Sequence, residues 1–131
     1  MRKCIKTEEH EFTPEEINDL MVTAFEGGIN HWCGSARPIF RRDKTYSGVA
    51  PEDQSKITYT SDVIGYGGSC RLTDVEGELG PWILTLEGVL KGIEKHCTNR
   101  NIAFKDLMDN HDAEDADCIV QIACMGEITF G

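Results

Sequence analysis

Four consecutive residues, Asn30 to Cys33, carry side chains suited to binding or transforming a ligand. An exposed tryptophan can stack on a nucleobase, and Asn30 and His31 can form hydrogen bonds with its edge. Alternatively, Trp32 fills the core where the chain turns back and His31 lies on the surface, since large aromatic residues mostly serve packing. His31 and Cys33 could also form a nucleophilic pair, although such close neighbours rarely aim at one point and no third orienting group is identifiable.

Two arginines that follow this cluster are candidates for binding an anion. Arg37 and Arg41 alternate along a predicted strand, so they should share one sheet face, and arginine binds phosphate bidentately. A solvated charged edge that prevents strands from aggregating would explain them as well. The basic island of Arg37, Arg41, Arg42 and Lys44 contrasts with an acidic island of Asp106, Asp109, Asp112, Glu114, Asp115 and Asp117. Such islands can meet between subunits, which favours a homo-oligomer.

The glycine-rich run from Gly65 to Ser69 is a second candidate anion site. Its backbone amides could face a phosphate, with Tyr66 as a stacking surface and Arg71 as the positive charge. The run is not a Walker loop, because the lysine and the following helix are missing. A hairpin turn is the alternative, since glycine readily adopts the positive φ that such turns need.

The sequence predicts neither a metal nor a cofactor. The acidic run at positions 110–117 lacks the glycine and the terminal glutamate of a calcium loop, and helix-start chemistry explains it. His96 beside Cys97, like His31 near Cys33, is a possible half-site for zinc, but four ligands would have to come from separate elements without recognisable spacing. We therefore expect no metal site, no cofactor and no catalytic residues.

The segment before the Asn30 cluster predicts a capped amphipathic helix from Thr13 to Glu26. The threonine can accept hydrogen bonds from first-turn amides, Pro14 suits the first helical position, and Glu16 completes a capping box. Gly27 or Gly28 would take the left-handed conformation that ends a helix. The expected buried face comprises Ile17, Leu20, Met21, Ala24 and Phe25, with Asn18, Asp19 and Glu26 on the opposite side.

Two further helices and several short strands are predicted in the rest of the chain. Thr85 and Asp112 are suitable helix caps, and Gly126 ends the second of these helices. Gly88 and Gly92 each weaken the first by about 1 kcal/mol unless a close contact compensates. The expected strands are Cys4–Lys6, Ala36–Phe40, Ile57–Thr60 with its neighbour Ser69–Thr73, Trp82–Thr85 and Glu127–Phe130, with an exposed loop at Thr45–Ser55. This order predicts an α+β fold, a mainly antiparallel sheet with three helices packed on it.

Length and composition limit the kind of protein this is. A chain of 131 residues can form one core, so we expect a single domain over residues 1–131. Six cysteines without a secretion signal or a C-x-x-C pair indicate free thiols in a cytoplasmic protein. The net charge of −10 argues against binding to duplex nucleic acid, and no apolar run is long enough to cross a membrane.

Two segments of the chain resemble a family of small, largely uncharacterised proteins encoded by phages and prophages. They are E-F-T-P-E-E-I-N-D-L-M-V-T-A-F-E-G-G-I-N-H-W-C at 11–33 and D-A-E-D-A-D-C-I-V-Q-I-A-C-M-G-E-I-T-F-G at 112–131, whereas the middle of the chain is similar only loosely. The resemblance names no reaction, so no catalytic residue is carried over from it. It implies an accessory phage protein in the cytoplasm of the host cell.

By analogy, this resemblance suggests an anti-defence sponge, an oligomer that sequesters a nucleotide signal of the host's immunity. Trp32 and Tyr66 would stack on such a ligand, and Arg37, Arg41 and Arg71 would bind its phosphates. One alternative is a protein-interaction module that inhibits a host enzyme through its acidic surface. Another is a hydrolase built on the histidine and cysteine of the Asn30 cluster.

Overall fold

The computed structural model describes residues 3–4 and 10–131, with side chains from residue 11 onward. A three-stranded antiparallel sheet packs against helices, which confirms the α+β class, although the described part has four α-helices instead of the three expected. The elements are β1 (Lys3–Cys4), β2 (His10–Glu11), α1 (Pro14–Thr23), β3 (Cys33–Pro38), β4 (Ser69–Asp74), β5 (Trp82–Thr85), α2 (Leu86–Arg100), α3 (Phe104–Asn110) and α4 (Ala113–Met125). The predicted strand Cys4–Lys6 overlaps β1 at Cys4 only, and positions 5 and 6 lie outside the described residues.

The main sheet has the order β3-β4-β5, and both of its ladders are antiparallel. The prediction for β5 is confirmed, while β3 starts and ends earlier along the chain than expected. The strand predicted at Ile57–Thr60 is wrong. A short 3-10 helix begins at Thr60, and the Asp62 carboxylate accepts hydrogen bonds from the amides of Thr58 and Tyr59, which turns the chain away from the sheet. A second 3-10 helix, Pro51–Lys56, lies in the segment predicted as a loop.

Helix α1 begins as predicted. The Thr13 hydroxyl accepts a hydrogen bond from the Glu16 amide at 3.1 Å, and the Glu16 carboxylate accepts one from the Thr13 amide at 2.9 Å. Asn18 was expected on the exposed side, but it is buried. Its side-chain oxygen accepts a hydrogen bond from the Gly65 amide at 2.8 Å, so a polar side chain on this face ties the helix to the loop before β4.

The end of this helix differs from the prediction, because neither glycine of the pair adopts a positive φ. The chain instead forms a π-turn over Ala24–Gly28, in which the Ile29 amide donates to the Ala24 carbonyl at 3.0 Å. Gly28 touches the start of α4 so closely that a Cβ there would lie 2.6 Å from the Ala113 carbonyl oxygen. Gly28 therefore allows the π-turn and α4 to approach closely, and neither glycine caps the helix in the left-handed conformation.

Helices α2 and α4 pack directly against each other through glycine. A Cβ on Gly92 would lie 2.7 Å from the Ile119 carbonyl oxygen, and one on Gly88 would lie 3.1 Å from that of Ala123. This close contact is the compensation expected for two glycines inside a helix. The predicted caps are also confirmed, with Thr85 at the start of α2 and Asp112 at the start of α4.

The segment after α4 is not the predicted strand. Gly126 ends the helix in the left-handed conformation with φ of 83°, as expected, and residues 127–131 then run without a sheet partner. The buried Gln121 side chain holds them instead. Its oxygen accepts hydrogen bonds from the amides of Thr129 and Phe130, each at 2.8 Å, and its nitrogen donates to the Phe130 carbonyl at 3.1 Å. A side-chain amide thus satisfies backbone groups that a sheet would otherwise have paired.

Candidate ligand-binding surface

Trp32 is part of the core, with only 2% of its surface exposed. The Phe130 ring stacks on the indole at 5.2 Å with an interplanar angle of 5°, and Trp82 meets it edge-on at 5.6 Å. The indole nitrogen donates to an Asp117 oxygen at 2.7 Å. Because its faces and its polar edge are engaged within the protein, the predicted stacking role of Trp32 is wrong, and the packing alternative describes it.

Asp117 is a central residue of this region that sequence reasoning counted only among the acidic island. One of its oxygens accepts from Trp32 and from the Gln121 amide, and the other lies 2.7 Å from His31 Nε2. The His31 side chain remains 43% exposed, so it lies on the surface but is held in place by this carboxylate. Three segments of the chain therefore meet at one side chain: the turn after the π-turn, helix α4 and, through Gln121, the last residues.

A cleft of about 580 Å³ opens beside this cluster, lined in part by His31, Asp117, Cys118 and Phe130. A histidine oriented by a carboxylate is one component of many hydrolytic sites, but a nucleophile is needed as well. Burial raises the pKa of the Cys118 thiol, and the negative charge of Asp117 raises it further. Burial also raises the pKa of Cys33. Neither thiol is activated, which disfavours the predicted alternative of a histidine–cysteine nucleophile.

Two further thiols should resist alkylation, Cys70, which is buried, and Cys124, which is partly buried. Desolvation raises the pKa of both to about 12, so very little thiolate forms at mildly alkaline pH. We expect iodoacetamide to modify both at least about tenfold more slowly in the folded protein than in urea. Peptide mass spectrometry over a time course measures the two rates. Equal rates in the two conditions would contradict the raised pKa of these thiols in the folded protein.

His96 and Cys97, considered as half of a zinc site, have a structural role. His96 Nε2 lies 2.9 Å from an Asp115 oxygen, a contact that joins α2 to α4, and the histidine is almost fully buried. Burial raises the pKa of Cys97 to about 11. Across the part of the chain that the structure describes, no three histidine, cysteine or acidic side chains converge as metal ligands would.

The arginines separate into one pair and one isolated residue. Arg37 on β3 lies directly opposite Arg71 on β4, on the exposed face of the sheet away from the helices. Arg37 Nε donates to the Ser35 hydroxyl at 3.3 Å, and none of the described carboxylates lies within ion-pair distance of either guanidinium. The prediction that Arg41 shares this sheet face is wrong, because β3 ends at Pro38 and Arg41 lies beyond it. It donates to the Thr45 hydroxyl and the Val49 carbonyl within its own loop.

The glycine-rich run from Gly65 to Ser69 does not form a phosphate cradle. The amides of Gly65, Gly67 and Gly68 donate to Asn18, Ile64 and Val63, respectively. All three amides are therefore already hydrogen-bonded within the protein. Tyr66 lies beside α1, where its hydroxyl donates to a Glu15 oxygen at 2.9 Å and the Lys56 ammonium lies 5.7 Å from the ring centroid. The run forms a turn in which Gly67 has a positive φ of 93°, but the predicted hairpin is wrong because residues 57–60 form no strand. The contacts of Tyr66 are with α1 and Lys56, not with the arginine pair.

Asn30 lines a cleft that sequence reasoning did not identify. The cleft has a volume of about 250 Å³ and lies between the π-turn and β3. A second cleft of about 440 Å³ adjoins it, since Phe25 and Thr60 line both. Phe25 was expected in the buried stripe of α1 but is only partly buried, because it belongs to the π-turn, which departs from the helical spacing. Of the predicted site residues, Asn30 lines this cleft, and Arg37 adjoins it through its hydrogen bond to Ser35, which also lines the cleft.

Compared with protein-family models, curated proteins and solved structures, the chain matches none. No helix in the described residues has the length and apolar character needed to span a membrane.

Proposed function

We propose that this protein is a non-catalytic binder of a small phosphate-bearing ligand, and that Arg37 and Arg71 bind the phosphate. The observation that carries the proposal is the register of the sheet, which places residues Arg37 and Arg71 directly opposite each other on adjacent strands, both of them exposed. Like charges in that position destabilise an antiparallel pair. An anion between them removes the repulsion, and two arginine forks provide the donor geometry that phosphate oxygens accept.

The surroundings of the arginine pair suit a ligand that has an uncharged part beside its phosphate. Ile83 on β5 lies opposite Arg71 and is about half exposed, so an apolar surface adjoins the charges. Ser35 and Thr73 form the cross-strand pair two positions along the strands, where the side chains point to the same face, and offer hydroxyl groups. The arginines and hydroxyls can hydrogen-bond to phosphate oxygens, and Ile83 offers an apolar contact to the uncharged part of a nucleotide-type ligand.

The wider role that we propose is that of a phage accessory protein in the host cytoplasm, which sequesters a nucleotide signal of host immunity. The supporting features are the resemblance of the two end segments to phage proteins, the arginine pair and the absence of an activated thiol among the described cysteines. A net charge of −10 does not oppose this role, since a small ligand needs only local cations. Sponges of this kind are oligomers, and the acidic surface of α3 and α4 could meet the basic face of a second copy.

Replacing Arg71 with glutamine should change binding and stability in opposite directions. We expect affinity for a phosphate-bearing ligand to fall about tenfold, because one charge-assisted fork is lost. The melting temperature should rise slightly in the same variant, because the repulsion between Arg37 and Arg71 disappears. Calorimetry and thermal unfolding measure the two effects. Arg42→Gln, at an exposed position outside the strand, is the matched control and should change neither.

The ligand panel comprises cyclic dinucleotides, cyclic trinucleotides and isomers of cyclic ADP-ribose, each titrated by calorimetry. Binding tighter than the millimolar range to at least one of them supports the proposal, and failure of the whole panel contradicts it. Mass spectrometry of each ligand after incubation separates binding from catalysis. An unchanged mass is expected, whereas a hydrolysed ligand would indicate an enzyme.

A second candidate is a module that inhibits a host protein by direct contact. Its support comes from exposed apolar side chains on the β4–β5 hairpin, namely Val75, Leu79 and Ile83. Such side chains are enriched where proteins meet. A pull-down from host lysate distinguishes the candidates, because an inhibitor should recover a stoichiometric protein partner and a nucleotide sponge should not.

A further inference from the structure

A groove between the π-turn and the segment before β4 has aromatic side chains on both of its walls. One wall comes from α1 and the π-turn and includes Phe25, and the other comes from residues 59–61 and includes Tyr59. Tyr59 is 71% exposed, the largest exposure among the large apolar side chains of the described residues. An exposed tyrosine facing a groove gains burial when a flat ligand enters it.

The groove continues toward the arginine pair. The smaller cleft shares Phe25 and Thr60 with the groove and extends it past Asn30 to Ser35 on β3. The Ser35 hydroxyl accepts the hydrogen bond from Arg37, so the end of the cleft and the proposed phosphate site are in direct contact. Together the two clefts have the size of a small-molecule site.

We propose that this groove binds the nucleobase of the ligand. Phe25 and Tyr59 provide aromatic surfaces for the base, and Asn30, whose amide has both donors and an acceptor, reaches its edge. The phosphates then extend over Ser35 to Arg37 and Arg71. The inference rests on the proposed function for the phosphate end, and it specifies a ligand with an aromatic base instead of a sugar phosphate or a free polyphosphate.

The test compares ADP with pyrophosphate, which has the same linked phosphates without the base. In ¹⁵N-resolved NMR titrations, both probes should shift the amide signals of Arg37 and Arg71. Only ADP should also shift those of Phe25, Asn30 and Thr60. ADP should bind about tenfold more tightly than pyrophosphate, as expected for stacking of one base on an aromatic side chain.

Substitution of Tyr59 tests the groove separately from the proposed phosphate site. Tyr59→Ala should weaken ADP binding about tenfold and leave pyrophosphate binding unchanged, whereas Tyr59→Phe should retain the affinity for ADP. Leu79→Ala is the control, since Leu79 is also an exposed apolar residue but lies in the β4–β5 hairpin. The corresponding amide cross-peaks of each variant confirm that it is folded.

The outcomes separate the two proposals. If ADP and pyrophosphate bind equally and shift only the arginine amides, the nucleobase groove is wrong and the anion site stands. If ADP shifts only the groove amides, the groove stands and the proposed phosphate site is wrong. If neither probe shifts either region at low millimolar concentration, both proposals are overturned.

Discussion

Replacing Asp117 with alanine is expected to lower the free energy of unfolding by about 3 kcal/mol. The carboxylate accepts hydrogen bonds from Trp32 and Gln121 and lies 2.7 Å from His31 Nε2. Its removal leaves the buried indole N–H without an acceptor, and a buried unsatisfied donor costs about 1–3 kcal/mol by itself. Lost bonds to Gln121 and His31 add to that cost, so the melting temperature should fall by roughly 10 °C. Urea unfolding followed by tryptophan fluorescence measures the change.

Two further variants make this prediction specific. Asp109→Ala removes an exposed carboxylate that pairs with Lys105 one helical turn away, and it should cost no more than about 0.5 kcal/mol. Asp117→Asn keeps an oxygen acceptor for the indole and should cost less than the alanine variant. A loss for Asp117→Ala as small as that for Asp109→Ala would show that the cluster does not support the fold.

The second large effect is expected at the double glycine. Gly28→Ala should destabilise the protein by about 2 kcal/mol, because the new Cβ would lie 2.6 Å from the Ala113 carbonyl oxygen and 3.3 Å from the Asp117 amide nitrogen. Both neighbours are backbone atoms at the start of α4, so the helix itself would have to move. Chemical denaturation monitored by circular dichroism gives the free energy.

Gly27→Ala is a closely matched control, since it makes the same chemical change one residue earlier. A Cβ at Gly27 would meet no atom within 4 Å, and its φ is not positive. Alanine there should be neutral or stabilise the protein by about 0.5 kcal/mol through the lower entropy of the unfolded chain. Equal effects at the two positions would mean that the contact between the π-turn and α4 is not tight.

Local signals in the sequence were sufficient to predict the helix starts and the end of the last helix. The capping box of Thr13 and Glu16, the cap at Asp112 and the left-handed Gly126 depend on neighbours within one helical turn, and all three are present. The strand Trp82–Thr85 and the helix that follows it were also predicted correctly. These predictions agree with the structure because capping and helical periodicity depend on residues that are close in the sequence.

Two strand predictions failed because side chains take the hydrogen bonds that a sheet would have used. Ile57–Thr60 has a β-prone composition, but the Asp62 carboxylate binds the amides ahead of it and turns the chain. Residues 127–130 alternate like a strand, yet Gln121 satisfies their backbone groups. In both places a side chain provided hydrogen bonds that the pattern of apolar residues does not reveal.

The sequence by itself determined the α+β class, the helix starts and the residue types able to bind an anion. The tertiary structure decided which of those residues act together. Trp32 became a core residue because Asp117, 85 positions away, and Phe130 enclose it. Arg37 lies opposite Arg71, and does not share its face with Arg41, because strand pairing and not spacing along the chain sets which residues are neighbours across a sheet.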